Sequence, residues 1–308
     1  MNITLPALQR LAAPCALLLS AALASPANAE EYVKAYTVAG RANVVVHVDD
    51  SSVHVVTSDS NQVEFRVLSE GFSAINIGGK LHVDSQQNGD QVELTVRVNH
   101  GVTIGINTTR LSTEVRMPRN ADLQLQTSDG RVEVSDLNGN ISVHTSDGGI
   151  KVSQLSGAID IGSKDGGIDA RALTGTVKLR SGDGRIDGTQ LDGKYDVSTR
   201  DGRIRLDGRF DALDIKSGDG SVTASAGPGS KMSTNWSIAT SDGGIDVSIP
   251  RDFKANLDAS TRDGHISLGM PVSVEGDLGK SKVRGTINGG GPTLYIHTGD
   301  GTIHLNGI

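Results

Sequence analysis

Aspartate recurs every 18 residues along the middle of this 308-residue chain, each time directly before glycine, and this spacing could build a metal site. The aspartates concerned are Asp129, Asp147, Asp165, Asp183, Asp201 and Asp219. If successive repeats stack as β-strands, neighbouring carboxylates lie about 5 Å apart, and Ca²⁺ would relieve their mutual repulsion. Calcium takes about six to eight oxygen ligands, however, and calcium-binding nonapeptides place glycine before aspartate. We therefore interpret these residues as turn formers, with a calcium-dependent scaffold as an alternative.

Paired acidic residues could instead perform acid–base chemistry on a polysaccharide. Asp169 and Asp187 occupy equivalent places 18 residues apart, with Lys151 and Arg205 at the same place one repeat before and after. Two carboxylates beside a glycosidic bond are the groups that most glycosidases use. No repeat departs from its neighbours at this place, and aromatic platforms for sugars are scarce because Phe, Tyr and Trp make up only 3% of the chain. An alternating solvated face is favoured, and a β-helical polysaccharide lyase or hydrolase is the enzymatic alternative.

Other catalytic and cofactor patterns are missing from the sequence. His265, His297 and His304 fall near aspartates toward the C-terminus, but their alternate strand positions favour the surface over a zinc site. No Gly-x-Ser-x-Gly elbow, phosphate loop or dinucleotide fingerprint occurs. We predict no catalytic residue, no metal and no cofactor. The 29 basic and 36 acidic residues, a formal charge of −7, also argue against nucleic acid as a partner.

A nine-residue repeat indicates the fold. From Thr127 to about residue 226, glycine takes the fourth place of nearly every nine, and an apolar-polar-apolar triplet begins two places later. Such alternation is typical of a half-buried β-strand, so each nine is one short strand and one turn. Counted from Thr127, only the odd-numbered nine-residue segments begin Ser/Thr-x-Asp-Gly. Only the even-numbered segments carry a leucine two places before glycine, namely Leu137, Leu155, Leu173 and Leu191. The repeating unit is therefore about 18 residues, and it can bury its apolar face only by stacking on its neighbours.

The sequence thus predicts an all-β fold: a single elongated β-solenoid, similar to a β-helix, of about 18-residue coils, each built from two nine-residue strand-turn units. The 39 glycines and the shortage of aromatic rings fit a slender interior filled by aliphatic side chains. Some thirteen to fifteen coils would extend roughly 65 Å. A sandwich of separate hairpins is the competing architecture, but its strands would differ in length and role.

The Asp-Gly steps are predicted to form a structural turn ladder. In each step, Asp would bond its own local backbone and glycine would supply a positive φ. The ladder comprises Asp129, Gly130, Asp147, Gly148, Asp165, Gly166, Asp183, Gly184, Asp201, Gly202, Asp219, Gly220, Asp242, Gly243, Asp263, Gly264, Asp300 and Gly301. We expect a second ladder, of hydroxyls that satisfy backbone groups near the same corner. Its members are Thr127, Thr145, Ser163, Ser181, Thr199 and Ser217.

Four segments divide the chain. Residues 1–29 resemble a secretory signal, with a short apolar stretch and a small-residue cleavage site ending at Ala29. Residues 30–126 are predicted to form irregular β coils and an N-terminal cap, residues 127–226 the regular coils, and residues 227–308 irregular coils continuous with the solenoid. No transmembrane segment is predicted in the mature chain. Because an open last coil exposes unpaired strand edges, we expect end-to-end self-association near Ile303 to Ile308.

The repeated Ser/Thr-x-Asp-Gly-x-Ile/Val unit, and the steps at Pro118 and Pro250 ahead of Leu123 and Leu257, are shared with a known family. From about residue 40 onward the chain resembles bacterial exported proteins regarded as adhesins, which consist of β-strand repeats and have no assigned biochemical function. The resemblance implies no catalytic residues. It predicts an exported, non-catalytic protein in the periplasm, on the cell surface or secreted. Its extended surface would bind an envelope polysaccharide or protein, or act as a scaffold.

Overall fold

The computed structural model describes residues 30–70, 76–77, 80–99, 102–103, 110–274 and 279–308. Within these residues the chain consists of β-strands and turns, without a helix, so the predicted all-β class is confirmed. No helix in these ranges is long and apolar enough to cross a bilayer. The predicted signal, residues 1–29, lies outside the described residues.

The strands are short and follow one another closely along the chain. The N-terminal strands are β1 (Glu30–Thr37), β2 (Asn43–Val48), β3 (Ser52–Ser58), β4 (Gln62–Glu70), β5 (Asn76–Ile77), β6 (Lys80–Asn88), β7 (Gln91–Asn99), β8 (Val102–Thr103) and β9 (Arg110–Pro118). The central strands are β10 (Asp122–Thr127), β11 (Val132–Ser135), β12 (Asn138–Thr145), β13 (Ile150–Ser153), β14 (Ser156–Ser163), β15 (Ile168–Arg171), β16 (Thr174–Ser181), β17 (Ile186–Thr199), β18 (Ile204–Ser217) and β19 (Val222–Ala226). The C-terminal strands are β20 (Trp236–Asp242), β21 (Ile245–Ile249), β22 (Ala255–Asp263), β23 (Ile266–Gly269), β24 (Ser273–Val274), β25 (Lys282–Ile287), β26 (Thr293–Asp300) and β27 (Ile303–Gly307).

Strands of successive central repeats pair in parallel and without slippage. Ile141 of β12 lies opposite Ile159 of β14, and Ile150 of β13 lies opposite Ile168 of β15. Each strand therefore meets the strand two places later in the chain, and the intervening strand runs along the other side of the coil. Two columns of stacked strands result, and the chain alternates between them.

We call the outer surfaces of the two columns face A and face B. In spatial order, face A consists of β7, β2, β10, β12, β14, β16, the C-terminal half of β17, the C-terminal half of β18, β20, β26 and β22. Face B consists of β9, β3, β11, β13, β15, the N-terminal half of β17, the N-terminal half of β18, β19, β21, β27 and β23.

These columns contain eleven levels in the described chain, and not the thirteen to fifteen predicted coils. At about 4.8 Å per level the stack extends roughly 50 Å. The prediction was too high because it assumed that the whole length of the mature chain winds into coils. In the structure β1, β4, β6, β24 and β25 pair antiparallel and lie outside the columns.

One aliphatic core runs between the two columns. Inward side chains such as Ile159, Ile161 and Ile168 are at most 2% exposed, and they belong to a cluster that continues from Val38 to Leu305. The predicted file of aliphatic branches in the interior is therefore confirmed. Burying a side chain of this size contributes about 1.5–3 kcal/mol, so the file is the main stabilising feature of the stack.

Aromatic rings replace part of this file toward the C-terminal end. Phe210 packs edge-on against Tyr195, with ring centroids 5.4 Å apart, and against Trp236, at 6.3 Å. Trp236 is fully buried and also contacts Phe253, at 5.1 Å. The only tryptophan of the chain is thus a packing residue.

The nine-residue pattern fails at Asp211 because the coil bulges there. The pairing of β17 with β18 shifts between Gly188 and Leu191 and shifts again between Gly193 and Lys194, so that Phe210 lies opposite Gly193. One coil later, residues 227–235 form a long connection between β19 and β20.

Antiparallel strands form a cap on the N-terminal end of the stack. Strand β6 covers the outer edge of β7, β4 covers that of β9, and β1 covers β4, all antiparallel. The hydroxyls of Tyr32 and Tyr36 in β1 both contact Ser85 of β6, at 2.6 and 2.5 Å, and join the two halves of the cap.

The C-terminal strands are not the last level of the stack. Strand β26 lies between β20 and β22, and β27 lies between β21 and β23, in parallel on both sides. The prediction of an open edge near Ile303 to Ile308 is therefore wrong. In sequence order, the strands of the outermost level, β22 and β23, come before β26 and β27, which lie one level further in. The final strand, β27, therefore has both edges paired.

Candidate binding surface

From β10 onward, a buried hydroxyl joins neighbouring levels at one corner of each coil. Ser163 Oγ donates a hydrogen bond to the carbonyl of Gly148 at 3.1 Å and accepts one from the N–H of Gly166 at 2.9 Å. Inter-coil bonds of this kind are also made by Thr127, Thr145, Ser181, Thr199 and Ser217, and by Thr240, Thr261 and Thr298 in the C-terminal coils. The predicted hydroxyl ladder is confirmed.

The aspartates at this corner do not cap their own turns. The N–H of Gly166 is taken by Ser163, and the N–H of Asp165 donates to the carbonyl of Ser146 in the preceding coil at 2.9 Å. The six central carboxylates, all within the described chain, accept no hydrogen bond from a backbone N–H of their own turn. The expected local bond is wrong because the hydroxyl three residues before glycine already holds that donor.

Glycine is needed at this corner mainly for space. A Cβ on Gly148 would lie 1.9 Å from the carbonyl oxygen of Gly130 in the coil below. The predicted positive φ is wrong for Gly130, Gly148, Gly166, Gly184, Gly202, Gly220 and Gly301, and of the ladder glycines only Gly243 and Gly264 have it, at 159°. Left-handed backbone occurs at the opposite corner instead, in Asp136, Gln154, Ala172, Gln190, Gly157, Gly175 and Gly193.

The stacked aspartates are neutralised in part by neighbouring cations. Arg200 contacts Asp183 and lies 3.4 Å from Asp201, and these carboxylates raise the pKa of the guanidinium through hydrogen bonds and charge. The row of stacked aspartates continues through Asp242, Asp300 and Asp263 in the C-terminal coils. In the described ranges, no group of three or more His, Cys, Asp or Glu side chains could hold a metal ion.

Face B carries a row of charged side chains in which the predicted acid pair lies. Asp169 and Asp187 are opposite one another, and Lys151 and Arg205 flank them. Arg185 donates to Asp169 at 3.1 Å and to Asp187 at 2.7 Å, and these hydrogen bonds raise its pKa. The guanidinium therefore lies across both carboxylates, where a glycosidic bond would have to bind.

Face A carries two shallow depressions that meet end to end. The first, about 530 Å³, spans β2 to β16 and is lined by outward polar groups: Gln124, Asn140, Ser142, Asp160, Thr176 and Lys178. The second, about 270 Å³, spans β16 to β18 and shares Thr176 and Lys178 with the first. Its other wall is Thr234 and Asn235, at the end of the long connection after β19. We call the two together the face A furrow.

Asp122 fixes the N-terminal end of the furrow. Its Oδ1 accepts hydrogen bonds from Arg41 at 3.1 Å and from the backbone N–H of Asn140 at 2.8 Å. Burial alone would raise the pKa of Asp122, but the hydrogen bonds from Asn140 and the charge of Arg41 outweigh this, so its pKa lies below the usual range. The carboxylate thus stays ionised and ties β10 to β12.

An exposed aromatic ring lies on the same face beyond the second depression. Tyr295 of β26 is 44% exposed and lies opposite Ser237, which lies opposite Asp214 of the furrow. Alternation along β26 puts its side chain outward, because Leu294 and Ile296 are fully buried. Neither the furrow nor Tyr295 was predicted from the sequence, and the only signal for the tyrosine is its place between two inward aliphatic residues.

The three C-terminal histidines are spread over both faces. The ring of His265 meets that of His304 edge-on at 6.2 Å, whereas Nδ1 of His297 lies 3.1 Å from the hydroxyl of Ser260. The three rings therefore do not converge on a common point.

The stacked strands define a β-repeat protein, and in its described part outward polar side chains line both face A and face B. Residues 42–306 match the family model of Toastrack DUF4097, and the chain belongs to this family. The match supports the resemblance to bacterial adhesin-like proteins of unknown function that the repeats indicated. No curated protein matches the sequence.

Several solved structures are similar over most of their length. A candidate adhesin of Bacteroides fragilis is 10% identical, with a TM-score of 0.37, covering 91% of this chain and 97% of its own. A candidate lipid-binding protein of Parabacteroides distasonis is 10% identical, with a TM-score of 0.38, covering 91% and 98%. A candidate cell adhesion protein of Clostridium sporogenes is 11% identical, with a TM-score of 0.23, covering 91% and 100%.

Proposed function

We propose that the chain is an exported, non-catalytic binding or scaffold protein of the cell envelope. It presents an extended surface to an envelope polysaccharide or protein, from the periplasm, the cell surface or the medium. The observation that carries this proposal is the regular outer surface: polar side chains recur at every level along both faces. Many shallow contacts along such a surface suit adhesion better than turnover of one substrate.

The absence of catalysis is supported by the acid pair itself. A retaining or inverting glycosidase needs two carboxylates free to contact the sugar and water. Asp169 and Asp187 instead share Arg185, which donates to both. Sites must be argued from residues and not from a β-helical fold.

The organisation we propose is one continuous solenoid of about 18-residue coils, each of two nine-residue strand-turn units. Its segments are a signal at 1–29, irregular coils and a cap at 30–126, regular coils at 127–226 and irregular coils at 227–308. The 18-residue offset between Ile141 and Ile159, and between Ile150 and Ile168, supports this unit. The Asp-Gly ladder is then structural, with aspartate exposed and glycine in close contact between coils.

Retention on envelopes tests this proposal. Mature chain, residues 30–308, is mixed with sedimented envelope fractions, and bound protein and released sugar are both measured. We expect saturable retention without oligosaccharide release, unchanged by a chelator. Loss of retention would refute the binding function, and release of oligosaccharides that stops in an Asp169→Asn variant would establish the enzyme instead. A fall of several degrees in Tm with chelator would establish the calcium scaffold.

A further inference from the structure

The face A furrow is continuous along the long axis of the molecule. Its outward row runs through Gln124, Ser142, Asp160, Lys178, Asp196 and Asp214, each opposite the next. The row then reaches Ser237 and Tyr295. From β10 to β26 this is a track of about 35 Å at one strand spacing per step. A ligand that fills it must be a chain lying across the strands.

The lining of the furrow has hydrogen-bonding groups but little net charge. Asp160 pairs with Arg180 at 3.2 Å, and Asp214 pairs with Lys216 at 3.3 Å. Asp122 is held by Arg41, while Lys178 and Lys194 accompany Asp196 in the second depression. Neither sign dominates, so the furrow provides no field that would attract a polyanion.

The outward side chains of the furrow are also poor in apolar groups. Among them only Ala158 and Ala212 are apolar, and Ala158 lies in the middle of the first depression, where it leaves an open floor between Asn140 and Thr176. Protein interfaces need an apolar core with aromatic or aliphatic anchors. Amides, hydroxyls and carboxylates instead match a ligand that is itself covered with hydroxyl groups.

Tyr295 adds the remaining element of such a site. Its exposed ring lies between Ser237 on one neighbouring strand and Asp258 on the other. Because the side chain of Ser237 is small, it leaves the ring accessible on that side. An exposed aromatic ring with polar groups beside it gives a flat apolar surface for the C–H face of a sugar and leaves the hydroxyls to the polar groups. It lies on the same row as the furrow, about 10 Å beyond Asp214.

We propose, building on the binding function above, that the face A furrow and Tyr295 bind an uncharged polysaccharide whose chain runs along the solenoid axis. The outward side chains form hydrogen bonds with successive sugars, and Tyr295 stacks on one sugar at the end of the track. Because the furrow is close to neutral, binding depends little on salt, unlike binding to a charged polymer.

Affinity electrophoresis tests this proposal with soluble β-1,3-glucan, hydroxyethyl cellulose and galactomannan, and with polygalacturonate as the charged comparison. We expect the mature chain to be retarded by at least one neutral polymer, with a dissociation constant unchanged between low and high NaCl. Ala158→Trp fills the first depression and should weaken binding at least tenfold. Tyr295→Ala should weaken it about tenfold, and Tyr295→Phe should bind normally.

Thr223→Trp is the matched control, because Thr223 is a small outward residue in a central strand of face B, between Arg205 and Asp246. It should bind as the parent does, and circular dichroism and Tm identify any variant that fails to fold. Retardation by polygalacturonate alone, or by no polymer, would overturn the proposal, as would normal binding by Ala158→Trp. If all variants still sediment with envelopes, the envelope function stands and this assignment of face and ligand fails.

Discussion

At the scale of single residues, the corner glycines are fixed by contacts between coils and not by their own backbone conformation. Gly148 and Gly149 are adjacent, yet a Cβ on Gly148 would lie 1.9 Å from a backbone oxygen, whereas on Gly149 the nearest atom is 3.7 Å away. Backbone cannot move aside as a flexible side chain can, so the two positions should respond very differently to the same methyl group.

We predict that Gly148→Ala destabilises the protein by about 3 kcal/mol, as overpacking against a rigid neighbour does. Gly149→Ala should be neutral or stabilising by roughly 0.5 kcal/mol, because alanine restricts the unfolded chain. Urea unfolding followed by circular dichroism measures both. Equal effects of the two substitutions would show that the corner relaxes and that close packing between coils is not the reason for glycine.

The sequence predicts which residue types lie at this corner, but it predicts their roles only in part. The alternation that ends each strand predicted that Ser163 would point inward, and it does. The pattern of Asp165 and Gly166 predicts a turn closed by aspartate, because a single turn taken alone is satisfied in that way. The neighbouring coil changes the outcome, since it supplies the carbonyl that Ser163 binds and the oxygen that excludes a Cβ at Gly166.

At the scale of strands, Asp122 couples three segments through one carboxylate. Its folded-state pKa is below the usual value, so its contribution to stability is present above the unfolded pKa, near 4, and is lost as the pH falls through the folded pKa. We predict that Asp122→Asn lowers stability at pH 7 by at most about 1 kcal/mol, because the group is partly exposed.

The difference between Asp122→Asn and the parent should shrink as the pH is lowered from 5 toward 2, where the parent carboxylate becomes protonated. Urea midpoints measured across this range test it, with Asp129→Asn as the control at an exposed aspartate. A difference that stays constant with pH would mean that the ionised form of Asp122 does not contribute.

The order of the C-terminal strands gives a prediction that the sequence order alone would not. Because β26 and β27 lie beneath β22 and β23, a chain ending at Gly291 loses a middle level of the stack. We predict that residues 250–274 and 279–291 then become sensitive to protease and exchange their amide hydrogens rapidly, while β10 to β17 keep their protection.

A chain ending at Gly307 is the control, since it lacks only Ile308, which is 54% exposed. It should resist protease as the full chain does. Persistent protection of β22 in the shorter truncation would show that the outermost level is held by β25 alone. Chain termini usually tolerate change, so a large effect would follow from the interleaved order.

At the scale of the whole molecule, the repeat was predictable and the ends were not. Each central nine carries the same local signal, so the stacking of Leu123, Ile141 and Ile159 follows from periodicity. Near the ends, several alternating segments compete for the same edge, and local patterns do not distinguish a parallel coil from an antiparallel cap. The face A furrow could also not be predicted from the sequence, because one of its walls depends on the long connection that brings Asn235 to the same depression as Asp214.

Self-association should use the C-terminal end of the stack, although not at the strand first expected. Among the described strands, β23 pairs only with β27, and its Leu268 is half-buried, whereas β27 has both edges paired. On the other edge of β23 the N–H of Ile266 donates to the carbonyl of Lys280 at 2.9 Å, and within the described residues no strand continues this pairing past Leu268. A strand edge that is only partly covered, with apolar side chains beside it, favours pairing with a second chain. We predict that the sedimentation coefficient of the mature chain rises between roughly 10 and 500 µM, and that Leu268→Lys abolishes this rise by placing a charge on the edge. Ile308→Lys, at the exposed terminus, should leave it unchanged. A chain that stays monomeric over the whole range would show that the end of the stack does not associate.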